Sequence, residues 1–471
     1  MGFNWQKEVE IRKNDLIADT QKLLRIKSTL DEASSSSEIP FGLGIQEALH
    51  FMLELGEKDG FKTKNVDNYG AHLEMGSGDE LLGILGHLDV VPEGEGWTSD
   101  PYSAEIRDGK IFARGALDDK GPTMAAYYAM KIIKELGIDL NKRVRLILGT
   151  DEESDWRCMD HYFEKEEMPT VGFVPDADFP IIYAEKGIAD FTLDMKPARA
   201  AADASLIVKS FEAGQRFNMV PESAKAIISF STGEANQWKG KFEDYLQNNH
   251  LKGTATVSST DELTVTMEGI SVHGMEPDNG INAGLKLADF LVTMPLESDD
   301  RAFFEFIHTF LSSESRGRKL GIAYTDDITG DLTINYGIIT YQNGQYGKIA
   351  FNMRYPVTYD FENGWKTIEQ VAGEHRFTAN IKTHLGPHHV DANSQLVRTL
   401  QKIYQEHTGE EAELLAIGGG TYARALKNAV AFGPLFPGRE DIAHQKDEYI
   451  IIEDLLKATA MYAQAIYELA R

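Results

Sequence analysis

The sequence has very little cysteine and too little positive charge to balance its acidic residues. Cys158 is the single cysteine in 471 residues, which excludes a framework of internal disulfides and is typical of a reducing compartment. Lysine and arginine number 47 against 74 aspartates and glutamates, giving a formal net charge of −27. Nucleic acids and anionic membranes bind basic patches, so this balance counts against both as partners.

Long apolar runs are missing too. No stretch approaches the roughly 18 apolar residues that cross a bilayer. Residues 1–6 show no basic stretch followed by an apolar one, and the sequence therefore favours a cytoplasmic protein without a membrane partner. Hydrophobic residues still make up 42% of the chain, and its length predicts two to three domains.

Short apolar runs at residues 81–86, 144–148 and 171–174 predict strands that are buried on both faces. A helix pattern lies between the first two runs. This alternation predicts an α/β catalytic domain with a mixed, largely parallel sheet flanked by helices.

The pattern changes between residues 186 and 385. Strand-like stretches with helices between them predict an inserted α+β domain there, and one of these helices is expected over residues 202–213. The predicted organisation is a catalytic domain in two parts, 1–185 and 386–471, around an inserted lid domain, 186–385.

A histidine and an aspartate follow the first apolar run, acidic residues follow the other two, and a loop between the first two runs carries a further pair of aspartates. Because ligands bind beyond the carboxyl ends of strands in an open α/β sheet, these side chains should project toward one edge. One acid at a strand end is usually a helix cap or a solvated turn, but four such positions together are not explained in that way. Imidazole and carboxylate ligands suit zinc, and also manganese or cobalt. The residues concerned are His87, Asp89, Asp118, Asp119, Glu152, Glu153, Asp176 and Asp178.

Two spacings add detail to this prediction. Asp89 lies two residues after His87, which on an extended chain places it on the same side, where it could accept the other ring N–H. Glu152 and Glu153 are adjacent and point different ways, so one can bind metal while the other handles protons.

Three segments carry a strong family resemblance: residues 86–92 (GHLDVVP), 114–122 (RGALDDKGP) and 151–154 (DEES). On these motifs the sequence is identified as a member of the di-zinc metallopeptidase family of carboxypeptidase G, aminoacylase, carnosinase and succinyl-diaminopimelate desuccinylase. It is most similar to the bacterial dipeptidases within that family, and the resemblance covers nearly the whole chain. Ala113 replaces the usual glycine before Arg114, a small departure.

The resemblance implies two bound divalent ions, zinc as the expected metal and manganese or cobalt as alternatives. It also implies a cis peptide between the two aspartates of the second motif. Asp119 rivals Asp118 as the bridging ligand, and His384, His388 and His389 rival His444. The implied ligands are His87 and Asp176 for one metal, Glu153 and His444 for the other, and Asp118 for both.

Two expected roles do not come from the resemblance. Asp178 is a candidate for binding the substrate amino terminus, and Cys158 is expected to be a buried structural thiol. The remaining roles are implied by the resemblance. The implied catalytic and substrate-binding residues are Glu152 as general base, Asp89 orienting His87, His273 stabilising the tetrahedral intermediate, Asn218 assisting at the oxyanion, Arg354 binding the substrate carboxylate, and Gly419 approaching the substrate.

The implied activity is hydrolysis of unmodified dipeptides, β-alanyl dipeptides included, by a metal-activated water that Glu152 deprotonates. The alternatives are an N-acyl-amino-acid deacylase, carboxypeptidase or desuccinylase of the same family, or an inactive metal-binding or peptide-binding protein. Because His273 and Arg354 fall in the inserted domain, two domains are expected to assemble the site. The long insert implies a monomer whose partner is a small peptide substrate.

Overall fold

The computed structural model describes residues 3–196, 204–231 and 233–471. Its helices are α1 (Trp5–Leu24), α2 (Leu43–Lys58), α3 (Lys120–Glu135), α4 (Arg157–Lys165), α5 (Ala235–Asn248), α6 (Ala283–Leu291), α7 (Ser298–Phe306), α8 (Phe361–Glu374), α9 (Gln395–Thr408) and α10 (Ile452–Ala470). Short 3₁₀ turns occur at Pro277–Asn279 and Tyr422–Ala425, and a π-helical turn at Ile307–Leu311. Among the described helices, none is both long and apolar enough to cross a membrane.

The strands of the same residues are β1 (Lys62–Val66), β2 (Gly70–Gly76), β3 (Leu81–His87), β4 (Glu105–Arg107), β5 (Lys110–Phe112), β6 (Arg143–Gly149), β7 (Val171–Val174), β8 (Ala177–Asp178), β9 (Ile181–Glu185), β10 (Gly187–Met195), β11 (Leu206–Ala213), β12 (Ser223–Phe230), β13 (Lys252–Ser259), β14 (Glu262–Glu268), β15 (Thr325–Asp326), β16 (Gly330–Asp331), β17 (Thr333–Gln342), β18 (Tyr346–Tyr355), β19 (Phe377–Leu385), β20 (His388–His389), β21 (Leu414–Ile417), β22 (Ala429–Ala431), β23 (Pro434–Leu435) and β24 (Tyr449–Ile451).

The chain divides into two compact units. Unit 1 comprises Met1–Ala184, His388–Ala416 and Gly420–Arg471, and unit 2 comprises Glu185–Pro387 and Ile417–Gly419. The sequence prediction placed residues 417–419 in the catalytic domain, whereas they group with unit 2. That the insert over 186–385 is a separate domain stays a prediction.

Unit 1 is built on a mixed sheet of strand order β1-β2-β6-β3-β7-β22-β9-β20, in which β21 also pairs with β9. The central strands β6, β3, β7 and β22 are parallel, and β1, β2 and β9 run antiparallel to their neighbours. Every residue of β3 is buried, as expected for a strand that is covered on both faces. Helices α3 and α10 pack against each other and against β3. The predicted α/β fold with a mixed sheet and flanking helices is confirmed.

Unit 2 contains an antiparallel sheet of strand order β13-β14-β12-β11-β17-β18-β10-β19. Helices α5 and α6 pack on β13, β14 and β12, while α8 packs on β19. The apolar residues between these helices and the sheet form a second core. Strands and helices are interspersed along the sequence, which is the α+β organisation expected for the insert.

The helix expected over residues 202–213 is wrong in its described part, because Leu206–Ala213 forms strand β11 (residues 202 and 203 lie outside the described residues). A β-bulge after Val208 adds one residue to the strand. Buried side chains therefore occur at 206, 208, 211 and 213, a spacing that breaks strict alternation. The period of two that identifies a strand is therefore interrupted, which explains the error.

Candidate active site

Three adjacent parallel strands of unit 1 place the predicted metal-site residues at one edge of the sheet. The carboxyl ends of β6, β3 and β7 meet there because the strands are parallel neighbours. His87 ends β3, Glu152 and Glu153 follow β6, and Asp176 follows β7. Asp118 comes from the loop that precedes α3.

Two groups of potential metal ligands share one carboxylate. The first group is His87, Asp118 and Asp176, and the second is Asp118, Glu153 and His444. Nε2 of His87 lies 3.0 Å from Oδ1 of Asp118, and Nε2 of His444 lies 2.9 Å from Oδ2 of Asp118. Nε2 of His87 is 3.7 Å from Oδ2 of Asp176, and Nε2 of His444 is 3.0 Å from Oε1 of Glu153. The two oxygens of Asp118 thus face different groups, as the oxygens of a bridging ligand do.

Asp119, the rival for the shared position, lies in neither group. Its Oδ2 accepts hydrogen bonds from the backbone N–H of His87 at 3.1 Å and from Oγ1 of Thr123 at 2.9 Å. The peptide between Asp118 and Asp119 is cis, as the resemblance implied. The geometry favours Asp118 for the shared position.

The histidines that rival His444 also lie outside both groups. His384 is hydrogen-bonded through Nε2 to Oη of Tyr355 at 2.7 Å, and it belongs to unit 2. His388 is buried and donates through Nε2 to the backbone oxygen of Ala429 at 2.6 Å. These contacts give both histidines structural roles.

The ring of His87 is buried and held in one orientation. Its Nδ1 donates a hydrogen bond to the backbone oxygen of Asp89 at 2.9 Å, because a carbonyl oxygen can only accept. The carboxylate of Asp89, which was predicted to accept this bond, lies further away, with Oδ1 3.5 Å from Nδ1. Its Oδ2 instead accepts the backbone N–H of Glu153 at 3.0 Å. With the proton on Nδ1, the lone pair of Nε2 points to the first ligand group.

The charges around these groups favour cations. Burial and the nearby carboxylates of Glu153 and Asp118 raise the pKa of Glu152 well above its usual range. Burial and Asp118 likewise raise the pKa of Asp176. Hydrogen bonds to Asp118 and Glu153 raise the pKa of His444 to about 10. The carboxylates of the two ligand groups therefore stabilise positive charge beside them. Divalent cations would supply that positive charge.

Unit 2 brings Asn218 and His273 onto adjacent loops. The backbone N–H of Gly274 donates to the backbone oxygen of Asn218 at 2.7 Å. Nδ2 of the buried Asn335, on β17, donates to the backbone oxygens of the residues on either side of Asn218, at 2.7 and 2.9 Å. Sequence reasoning missed Asn335. Its signal is one amide within the apolar strand pattern of residues 332–336 (LTINY).

The ring of His273 has the opposite proton arrangement to that of His87. Nδ1 of His273 accepts the backbone N–H of Met275 at 3.2 Å, so the ring proton lies on Nε2. Burial and the positive charge of Arg354 lower the pKa of His273, which favours the neutral ring. Nε2 is therefore a hydrogen-bond donor.

Arg354 on β18 is held in a fixed orientation. Its Nε donates to Oδ1 of Asn352 at 3.0 Å, and Nη1 donates to the backbone oxygen of Gly418 at 3.0 Å. Nδ2 of Asn352 in turn donates to Oδ1 of Asp190 at 2.5 Å. A Cβ atom added to the neighbouring Gly419 would lie 3.8 Å from the nearest heavy atom of the described residues, its chain neighbours apart. There is therefore space beside this glycine. Asn352 and Asp190 gave no local sequence signal of this relay.

Two other residues named from the sequence lie outside both ligand groups. Cys158 is buried as expected, with Sγ 3.0 Å from Oη of Tyr422, and burial raises the pKa of its thiol to about 12. Asp178 is on β8, where burial and the nearby charge of Asp441 raise its pKa.

The family follows from comparison with known sequences. The sequence model of peptidase family M20/M25/M40 matches residues 83–468 of the chain. The chain belongs to this family. As an M20/M25/M40 peptidase it is a metal-binding hydrolase, which confirms the resemblance seen in its motifs.

Relatives of this M20/M25/M40 peptidase match over their full length. "Putative dipeptidase YtjP" of Bacillus subtilis is 52% identical over 469 residues, covering 100% of both chains. "Putative dipeptidase SH1171" of Staphylococcus haemolyticus is 44% identical and covers 99% of both.

Two solved structures share the fold at low sequence identity. Human carnosine dipeptidase 1 has a TM-score of 0.58 at 14% identity, covering 99% of this chain and 98% of its own. Aminoacylhistidine dipeptidase from Vibrio alginolyticus has a TM-score of 0.60 at 13% identity, with coverages of 97% and 96%.

Proposed function

We propose that this M20/M25/M40 peptidase is a dipeptidase that works with two divalent metal ions. The observation that carries the proposal is the carboxylate of Asp118, whose two oxygens face two ligand groups. His87 and Asp176 would complete the site of one ion, and Glu153 and His444 that of the other. This set of imidazole and carboxylate donors fits zinc, the expected metal, and also manganese or cobalt.

When bound, such ions polarise a carbonyl group and lower the pKa of a water. The carboxylate of Glu152 would accept a proton from the attacking water and deliver it to the leaving amine nitrogen. Asp89 would keep the ring of His87 oriented. These assignments follow the position of each side chain and the family resemblance.

Three residues of unit 2 are proposed to recognise the substrate. Nε2–H of His273 would donate to the carbonyl oxygen on which negative charge develops, assisted by the amide of Asn218. The planar guanidinium of Arg354 would bind the free carboxylate of the dipeptide through paired hydrogen bonds. The space at Gly419 would admit the substrate beside this arginine.

Dipeptides are the favoured substrate class for two reasons. The relatives at 52% and 44% identity both carry the name "Putative dipeptidase". An arginine that binds the free carboxylate selects unmodified C-termini. The cytoplasmic location and the monomeric state stay predictions, the second of which light scattering would test.

Hydrolysis by the purified protein would test the proposal. The panel would contain Ala-Leu, β-Ala-His, a tripeptide, an N-acetylated amino acid and N-succinyl-diaminopimelate, each with added zinc or manganese and after chelation. We expect dipeptides to be cleaved, the chelator to stop cleavage, and metal analysis to find two ions per chain. Glu152→Gln should retain the metals and lose turnover. Cleavage of acylated substrates alone would replace the dipeptidase by a deacylase, and metal binding without turnover would contradict catalysis.

A further inference from the structure

A buried ion pair in unit 1 has no place in the reaction described above. Nη1 of Arg114 lies 2.6 Å from Oε2 of Glu448, and the two side chains are 2% and 0% exposed. Removing both charges from water is costly, and a buried pair regains this cost only with good geometry and further hydrogen bonds. The partners of these hydrogen bonds indicate what the pair does.

Glu448 holds the peptide that carries the shared carboxylate. Its Oε1 accepts the backbone N–H of Leu117 at 2.8 Å and that of Asp118 at 3.2 Å. Each carboxylate oxygen of Glu448 therefore has its own partners, the backbone for Oε1 and Arg114 for Oε2. Glu448 thus binds the peptide N–H of Asp118 and that of the residue before it.

Arg114 joins two loops that are remote in sequence. Its guanidinium donates to the backbone oxygens of Gln445 at 3.2 Å and His444 at 3.3 Å, and to those of Pro92 at 3.4 Å and Glu93 at 3.3 Å. His444 itself has a φ of 64°, a conformation that residues other than glycine rarely adopt. Contacts from outside the loop must therefore hold this backbone in place.

We propose that Arg114 and Glu448 form a positioning pair, which keeps Asp118 and His444 at the separation that the second ligand group requires. The inference rests on the proposed two-metal function. The pair acts through the ligands, as outer hydrogen-bond partners of metal sites do.

The chemistry of the pair makes it sensitive to conservative changes. A glutamine at 448 has one accepting oxygen, so its NH₂ group must face either the backbone N–H groups or Arg114, all of which are donors. A lysine at 114 has one ammonium group, which cannot reach carbonyls on two loops as the wide guanidinium does. Both substitutions should therefore loosen the second ligand group.

The test is metal binding by Glu448→Gln, measured by competition with a chelating indicator, together with the visible absorption spectrum of the Co²⁺-loaded protein. We expect one ion to bind about 10- to 100-fold more weakly and the Co²⁺ spectrum to change. Saturating metal should restore part of kcat, and KM for a dipeptide should stay unchanged. Arg114→Lys should give the same result and replaces Glu448→Gln if that variant does not fold.

Glu74→Gln is the matched control. Glu74 pairs with Arg145 in the same unit, with Oε2 2.7 Å from Nη2 and side chains that are 11% and 5% exposed. This control should lower thermal stability while leaving metal affinity and the Co²⁺ spectrum unchanged. Wild-type metal affinity in Glu448→Gln, or equal weakening in both variants, would overturn the positioning role alone. A wild-type protein that binds no metal would overturn the proposed function and this inference with it.

Discussion

His87 in unit 1 and His273 in unit 2 carry the ring proton on opposite nitrogens. In each case Nδ1 is hydrogen-bonded to the backbone of the residue two positions later. For His87 that partner is the carbonyl oxygen of Asp89, so Nε2 keeps a lone pair. For His273 it is the N–H of Met275, so Nε2 keeps a proton. The same side chain thus becomes a potential metal ligand or a hydrogen-bond donor according to which backbone group turns toward it.

The charges around the two histidines also differ. His87 faces carboxylates, of which Asp118 gives the main hydrogen bond that raises its pKa against the effect of burial. Burial and Arg354 lower the pKa of His273. Unit 1 therefore favours a cation near its histidine, whereas unit 2 favours a neutral donor.

The largest effect should come from His87→Ala. Loss of this ligand should lower kcat/KM by more than the roughly 10²–10³-fold that one oxyanion donor contributes. Metal analysis should find fewer ions per chain. His389→Ala, an exposed histidine of unit 1, should keep wild-type activity. Full metal content in His87→Ala would contradict the ligand assignment.

His273→Ala should lower kcat by about 10²–10³-fold while the metal content stays at the wild-type level. His273→Gln should lose less, because its amide nitrogen can donate from near the position of Nε2. Steady-state kinetics and metal analysis on both variants would check this. Equal losses from alanine and glutamine would contradict the donor role.

Arg354→Met should reduce kcat/KM for dipeptides by about 10- to 100-fold, mainly through KM, because a charged hydrogen-bond partner of the substrate is lost. Dipeptide amides have no free carboxylate, so the same variant should cleave them about as well as the wild type does. The ratio of the two rates measures carboxylate recognition. Arg301→Met, on the exposed side of α7, is the control and should leave that ratio unchanged.

The smallest effect concerns His72. This buried histidine is neither a proposed metal ligand nor a proposed hydrogen-bond donor to the substrate. Oη of Tyr162 lies 2.7 Å from its Nδ1, and burial together with Arg145 lowers its pKa to about 3. Unfolded histidine titrates near 6.5, so between these values the unfolded chain binds a proton that the folded chain does not. The contribution of His72 to the free energy of unfolding is therefore fully present above pH 6.5 and is lost on acidification, by about 2 kcal/mol at pH 5.

Urea unfolding of His72→Gln at pH 6.5 and 5 would measure this contribution. The variant should lose less unfolding free energy than the wild type between the two pH values, because glutamine does not titrate. Identical losses would show that His72 is not responsible.

Much of the candidate site could be predicted because its residues form short motifs beside apolar strands. His87 and Asp176 each adjoin a buried run, and the order of parallel strands then brings them to one edge. The start of α9 has a similarly local cause, because the side chain of Ser394 accepts the backbone N–H of Val397. The strand at 206–213 was predicted wrongly because its bulge lies in the pairing with β12, a strand that comes later in the sequence.

Contacts that join distant parts of the chain could not be predicted in this way. Glu448 meets the backbone of Asp118 across 330 residues, and nothing near either residue indicates the other. The spacing of Asp89 from His87 correctly placed the two residues on the same side of the chain, but it did not identify the accepting atom. The backbone oxygen of Asp89 accepts the hydrogen bond that was expected for its carboxylate. Asn335 shows the same limit, because its partners lie on a loop more than 110 residues earlier.

Because unit 2 interrupts unit 1 in the sequence, the ribosome makes one part of unit 1 before unit 2 and the rest after most of it. His87, Asp118 and Asp176 are all translated before unit 2 begins, whereas His444 comes after it. Strand β22, which lies inside the sheet between β7 and β9, is also translated after the bulk of unit 2. A growing chain thus holds every residue of the first ligand group while its sheet still lacks an interior strand. The second group is completed only when residue 444 has left the ribosome.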